Sequence, residues 1–183
     1  KKLIFVHVIK IFFLNLFEAI RLSYSFFSLN LEKKIAKILV KNNLTISTAE
    51  SCTGGMIASS LTDIPGASGV FLGSAVTYSN EAKIKILGVD AGTIAEHGAV
   101  SALCAEKMAE GARRIFGSDV ALSVTGIAGP DGGSEEKPVG TVWFGMSTKE
   151  ATNTFKKKFS GKRADIRNSA VKEALVSLLG RMQ

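Results

Sequence analysis

An α/β fold, a three-layer α/β/α sandwich on a mixed sheet, is what this sequence predicts, and three observations predict it. Short apolar, β-branched runs alternate with stretches of helical periodicity, the pattern of strands joined by crossover helices. Two glycine-rich turns, within 51–55 and 125–133, each follow directly on such a run. Two strand-like segments and a long amphipathic helix then close the chain, adding an antiparallel hairpin to a parallel start. With 183 residues, 46% of them apolar and 21% charged, the chain suffices for one sizeable core and has the balance of an ordered domain.

Residues 1–30 stand apart in composition. Their apolar run, Leu3 to Phe17, is interrupted by His7, Lys10 and Asn15, a poor membrane span, and no small-residue cleavage site follows to complete a signal peptide. We read them as upstream sequence or an adventitious packing segment, an atypical extension before a domain over 31–183. From Leu31 the pattern is regular: Ile35, Ile38 and Leu39 share one helical face, lysines lie opposite, and two asparagines at 42–43 suit a C-terminal cap. Leu44 to Thr48 is β-branched and reads as a strand. Thr48 to Gly55 is the turn that opens the next helix, Met56 to Asp63.

Pro65-Gly66 marks a turn before a second strand, Val70 to Tyr78, and Ser79 is the expected N-cap of a helix over 79–87. Residues 95–98, with His97, read as a turn. Cys104, Met108, Ala112 and Ile115 repeat at helical spacing within 101–116, so that face is expected in the core. Asp119 to Val124 is a short strand apolar enough to be buried on both faces. Val139 to Met146 and Thr152 to Phe159 form the hairpin, and the helix Arg163 to Leu179 buries Ile166, Ala170, Val171, Ala174, Leu175 and Leu178.

The net charge of +7 is unevenly placed: residues 1–30 carry four cations against one anion, and residues 156–183 eight against two. The middle is close to neutral, and a basic C-terminal segment suits either nucleic acid or a small phosphorylated ligand. Two cysteines, Cys52 and Cys104, far apart in sequence, point to a reducing, cytoplasmic compartment. No cysteine–histidine or histidine–carboxylate cluster has metal-ligand spacing, so neither metal nor cofactor is expected. With His7 and His97 as the only histidines, a Ser-His-Asp triad is poorly supported.

The chemistry therefore rests on three polar strand ends, 50–53, 77–80 and 125–126, which in an open α/β sheet share one rim. Ser51 and Thr53 either cap the helix that follows or present a hydroxyl beside free backbone N–H groups, where an anion or oxyanion is favoured. A serine needs a base, and Lys83, one turn into the helix after Tyr78, is the best candidate if burial lowers its pKa; the alternative is a solvated lysine like Lys85. Tyr78 is placed to relay a proton or orient Lys83. The turn over 125–133 is a backbone N–H nest or an ordinary tight turn, since no Gly-Lys-Ser/Thr completes a phosphate loop. Arg163 and Arg167, four apart, either clamp a phosphate or carboxylate or form a solvated helix face.

Taken together, AESCTGG at 49–55, VTYSNEAK at 76–83, HGAVS at 97–101 and SVTGIAGPDGGSEEKPVGTVWFG at 123–145 resemble the CinA C-terminal domain family, in order and over about Leu31 to Met182. The resemblance implies an α/β/α domain that deamidates nicotinamide mononucleotide to nicotinic acid mononucleotide and ammonia without a metal. Carried across, it makes Ser51 the nucleophile, Lys83 its base and Tyr78 an assistant. It places Glu50, Thr53, Gly54, Gly55, Asn80, Thr125, Gly126, Arg163 and Arg167 among the substrate-binding residues. Residues 1–30 match nothing in the family. The expected partners are a small nucleotide substrate and further copies of the chain, with no nucleic acid and no membrane. The rivals are a phosphorylated-nucleotide-binding module without turnover and, below it, a competence-related nucleic-acid-binding protein on the basic C-terminal segment.

Overall fold

A computed structural model describes residues 31–182, so the expectations for 1–30 lie outside the described residues. Five strands, β1 (Ile46–Glu50), β2 (Phe71–Val76), β3 (Val120–Gly126), β4 (Thr141–Ser147) and β5 (Thr152–Lys158), form one sheet in the order β2-β1-β3-β4-β5. β1 runs parallel to β2 and β3, whereas β3–β4 and β4–β5 are antiparallel. The sheet is therefore mixed, as the sequence predicts. The helices are α1 (31–41), α2 (Met56–Thr62), α3 (Asn80–Leu87), α4 (Ala91–His97), α5 (Ala102–Phe116) and α6 (Arg163–Arg181).

Alternation along the strands divides the core into two layers. On one face Ile46, Leu122, Val124, Val142 and Phe144 meet Leu31, Ile35 and Leu39 of α1, Ile57 and Leu61 of α2, and Ile166, Ala170, Ala174, Leu175 and Leu178 of α6. Phe144 stacks on Phe155 of β5 with centroids 4.7 Å apart, an arrangement worth about 1 kcal/mol beyond the area it buries. The other face is made of small residues. Ala49, Ala75 and Ala121 meet Leu87, Val89, Cys104, Met108 and Ala112 from α3, the turn after it, and α5. Ser123 donates from its hydroxyl to the Ala105 carbonyl, and a Cβ on Gly145 would stand 2.5 Å from that carbonyl oxygen, so α5 lies hard against the sheet.

Several details differ from the sequence reading. Residues 91–97 are a helix and not a turn: Asp90 caps its N-terminus by accepting from the Thr93 N–H, and Gly98 ends it. Ile115 is 46% exposed, since the buried stripe of α5 instead takes in Ala105 and Ala109. Neither Ser51 nor Thr53 caps α2. Its N-cap is Gly55, at φ 94°, and the end is satisfied by Glu50, whose carboxylate accepts from the N–H groups of Gly55, Ile57 and Ala58 at 2.8–3.1 Å.

The site is placed by strand register. Glu50 of β1 pairs with Val76 of β2 and Val124 of β3, so Ser51, Thr77 and Thr125 stand at one level of the sheet. The ladder extends past the strand ends: Ser51 N–H donates to the Val124 carbonyl at 2.9 Å and Thr77 N–H to the Glu50 carbonyl at 2.8 Å. The connection from β1 to β2 passes through α2 on one face and that from β2 to β3 through α3–α5 on the other. The chain thus splits around β1, where ligands gather in open α/β sheets.

Candidate active site

Lys83 and Ser51 meet at this rim. Ser79 caps α3 by accepting from the Ala82 N–H, which starts the helix immediately beyond β2 and puts Lys83 in its first turn. Helical side chains lean toward the N-terminus, and that lean carries the Lys83 amine back over the strand ends. Its Nζ lies 2.9 Å from the Thr77 carbonyl and 3.0 Å from Ser51 Oγ. Lys83 is 1% exposed and Ser51 7%. Burial disfavours the ammonium and lowers the lysine pKa, and among the described residues no carboxylate forms an ion pair with it. Nζ is within donating distance of both oxygens, and an amine that has lost its proton would keep the bond to the Thr77 carbonyl while offering its lone pair to the Ser51 hydroxyl.

A cavity of about 190 Å³ opens onto this pair. The turn and the ends of β2 and α3 contribute Ser51, Cys52, Tyr78, Asn80 and Lys83 to its lining. Ala99 and Val100 form a second wall, and Thr125, Gly126, Ala128 and Arg163 complete it. Arg163 crosses the mouth, donating from Nη1 to the Gly129 carbonyl at 2.8 Å and from Nη2 to the Tyr78 hydroxyl at 2.6 Å. It is the cation best placed for an anionic substituent on a molecule in the cavity. Thr125 spends its hydroxyl on the Ala99 carbonyl at 2.8 Å, tying the 99–100 wall to the end of β3. Gly126 is required by packing, because a Cβ there would stand 2.7 Å from a Val142 methyl.

The site thus brings together Ser51, Lys83, Tyr78, Asn80, Thr125, Gly126 and Arg163. It does not bring in the rest of the expected set. Glu50 is fully buried with its carboxylate committed to the end of α2, so the positive helix terminus suggested as an anion site is already occupied. Thr53, Gly54 and Gly55 shape the turn without lining the cavity. Arg167 donates from Nε to the Cys52 carbonyl and from Nη2 to the Thr53 carbonyl, both at 3.0 Å. Tyr78 is 59% exposed and bonds Arg163, so the group that orients Lys83 is the Thr77 carbonyl rather than the phenol.

Sequence reasoning placed Cys52 at the turn without a role, and it missed the wall of Ala99, Val100 and Ala128. Apolar walls carry no signal of chemistry, and only their place after α4 and β3 in the topology reveals them. The Cys52 thiol is pushed up to about 11, chiefly by burial and against the pull of its own backbone N–H and the Arg167 charge, so it stays protonated at neutral pH. Among the described residues no cluster of histidine, cysteine and carboxylates could hold a metal ion, and no helix is long and apolar enough to cross a membrane.

Comparison with known proteins extends these observations. A family model, the CinA C-terminal domain, matches residues 28–182. The chain is 53% identical over 139 residues to a CinA-like protein of Endomicrobium trichonymphae, covering 76% of this chain and 32% of that protein. It is 51% identical over 144 residues to a putative competence-damage inducible protein of Acetivibrio thermocellus, covering 79% and 35%. The chain therefore spans about a third of the length of these curated relatives. Among solved structures, the competence/damage inducible protein CihA from Agrobacterium tumefaciens superposes with a TM-score of 0.82 at 40% identity, covering 85% of this chain and 96% of that one. A competence or damage-inducible protein from Enterobacter asburiae gives 0.83 at 35% identity, covering 85% and 98%.

Proposed function

The chain belongs to the CinA C-terminal domain family, and from that premise we propose that it is an amidohydrolase that converts nicotinamide mononucleotide to nicotinic acid mononucleotide and ammonia. The observation that carries this reading is the buried amine of Lys83 at 3.0 Å from the Ser51 hydroxyl, beside a cavity and, among the described residues, with no carboxylate to hold it charged. A serine–lysine pair of this kind is suited to acyl transfer, because each partner supplies what the other lacks.

The geometry supports the following course for the reaction. Neutral Lys83 takes the Ser51 proton as Oγ attacks the carboxamide carbon. The carbonyl oxygen becomes an oxyanion, which the N–H of Cys52, the first residue after the nucleophile, stabilises; one preorganised donor contributes about 3 kcal/mol. The C–N bond breaks, and the Lys83 ammonium returns its proton to the departing amine, which leaves as ammonia. Water, activated by the again neutral Lys83, then cleaves the Ser51 ester and releases the acid. Arg163, at the mouth, is the residue we assign to the phosphate of the substrate.

The test is to mix the protein with nicotinamide mononucleotide and measure both ammonia and the mass of the nucleotide. Ammonia appearing in step with the acid supports the proposal. Saturable binding with the nucleotide recovered unchanged would overturn it in favour of a binding module that lacks turnover.

A further inference from the structure

Arg167 was expected among the ligand-binding residues, yet its guanidinium is turned to the back of the Ser51 turn. It reaches from α6 across 115 and 114 residues of sequence to the carbonyls of Cys52 and Thr53. Adjacent peptide planes are thereby held by one planar fork, a task that suits arginine and that the single ammonium of lysine does poorly. The other planes of the turn are fixed as well: Gly54 N–H donates to the Ser51 carbonyl at 3.1 Å, and Gly55 N–H to the Glu50 carboxylate at 2.9 Å. Gly54, at φ +62°, also makes room for the fork, since a Cβ there would stand 3.3 Å from Arg167 Nη2. Cys52 lines the cavity beside Ser51, so its N–H sits in the stretch of turn that these bonds fix.

We infer that Arg167 is a positioning residue: it locks the turn after the nucleophile so that Ser51 Oγ and the Cys52 N–H keep one fixed relation to the substrate carbonyl. This inference rests on the amidohydrolase reading. It predicts that the loss of Arg167 appears in the chemical step and not in substrate affinity. A displacement of about 1 Å at a reacting group costs about 100-fold in rate.

The experiment compares wild type with Arg167→Ala and Arg167→Lys in the full chain, reading kcat, KM and the melting temperature with nicotinamide mononucleotide as substrate. It also reads the rate at which an alkyl fluorophosphonate labels Ser51. Arg167→Ala is expected to lose about 100-fold in kcat with KM little changed, to recover part of it when ethylguanidinium is added, and to label more slowly. Arg167→Lys, which keeps the charge but not the fork, is expected to fall in between. A raised KM with intact kcat, the mark of a phosphate ligand, would overturn the inference. So would a kcat loss that merely tracks the unfolded fraction and is not rescued. If wild type labels at Ser51 but deamidates nothing, the substrate assignment fails by itself and the labelling rates decide: slower in the variants upholds the role of Arg167, unchanged removes it. Wild type that neither labels nor turns over removes both.

Discussion

Among the described residues Lys83 is one of the largest fully buried side chains, and none of their carboxylates pairs with its amine to compensate for the loss of water. Burial of that kind is a cost to folding, accepted where the neutral amine is needed. Lys83→Arg keeps a cation of similar reach but cannot supply a neutral base, so it is expected to lose nearly all deamidation while binding persists; substantial turnover would reduce Lys83 to a structural part. The same residue makes stability depend on pH with a defined sign. Its folded pKa lies below the unfolded value of 10.5, so between the two the unfolded chain binds more protons, and stability rises with pH across that window. Lys83→Met has no such group. Urea unfolding of both proteins over a pH series should show wild type gaining relative to Lys83→Met as pH climbs toward 10.5, and a relative loss would contradict the lowered pKa.

At the scale of elements, the site depends on how closely α3 and α5 can approach the sheet. Gly111 of α5 faces the Leu87 carbonyl at the end of α3, leaving no space for a Cβ. Gly111→Ala should therefore push α3 outward, costing about 1–3 kcal/mol of stability, and reduce kcat through the displaced Lys83. A calorimetric melt with parallel kinetics checks both effects, and wild-type values in each would contradict the close approach. The elements legible in the sequence were those whose burial is periodic. α6 buries the six residues its spacing indicates, and Ser79 and Ser101 cap the helices they were expected to open or precede. α4 was missed because seven residues containing Gly92, Thr93 and Ile94 offer neither length nor an apolar stripe. Only Asp90, at the cap, announced it. Glu50 was misplaced for a related reason: a helix whose N-cap is glycine must find its acceptor elsewhere, and sequence spacing does not say that a buried strand-end carboxylate will fold back to supply it.

Across the whole molecule, the basic C-terminal segment that left the sequence open to two readings is divided among separate tasks. Lys156 lies over the Trp143 ring at 5.7 Å, and Lys157 pairs with Glu173 of α6 at 3.1 Å, both from the edge strand β5, where lysines discourage pairing with another chain. Arg163 and Arg167, one turn apart on α6, go to the mouth of the cavity and to the turn behind it. The sheet collects these contributions at one rim. β1 supplies Ser51 just past its end, β2 the Thr77 carbonyl that holds Lys83, and β3 the anchor of the far wall, so Ser51 and Lys83, distant in sequence, become one hydrogen-bonded pair. That pair is the central claim, and turnover by Ser51→Ala measures it most directly. The variant is expected to bind nicotinamide mononucleotide but release no ammonia above the uncatalysed rate, whereas wild type releases it in step with the acid; turnover by Ser51→Ala comparable to wild type would contradict the account.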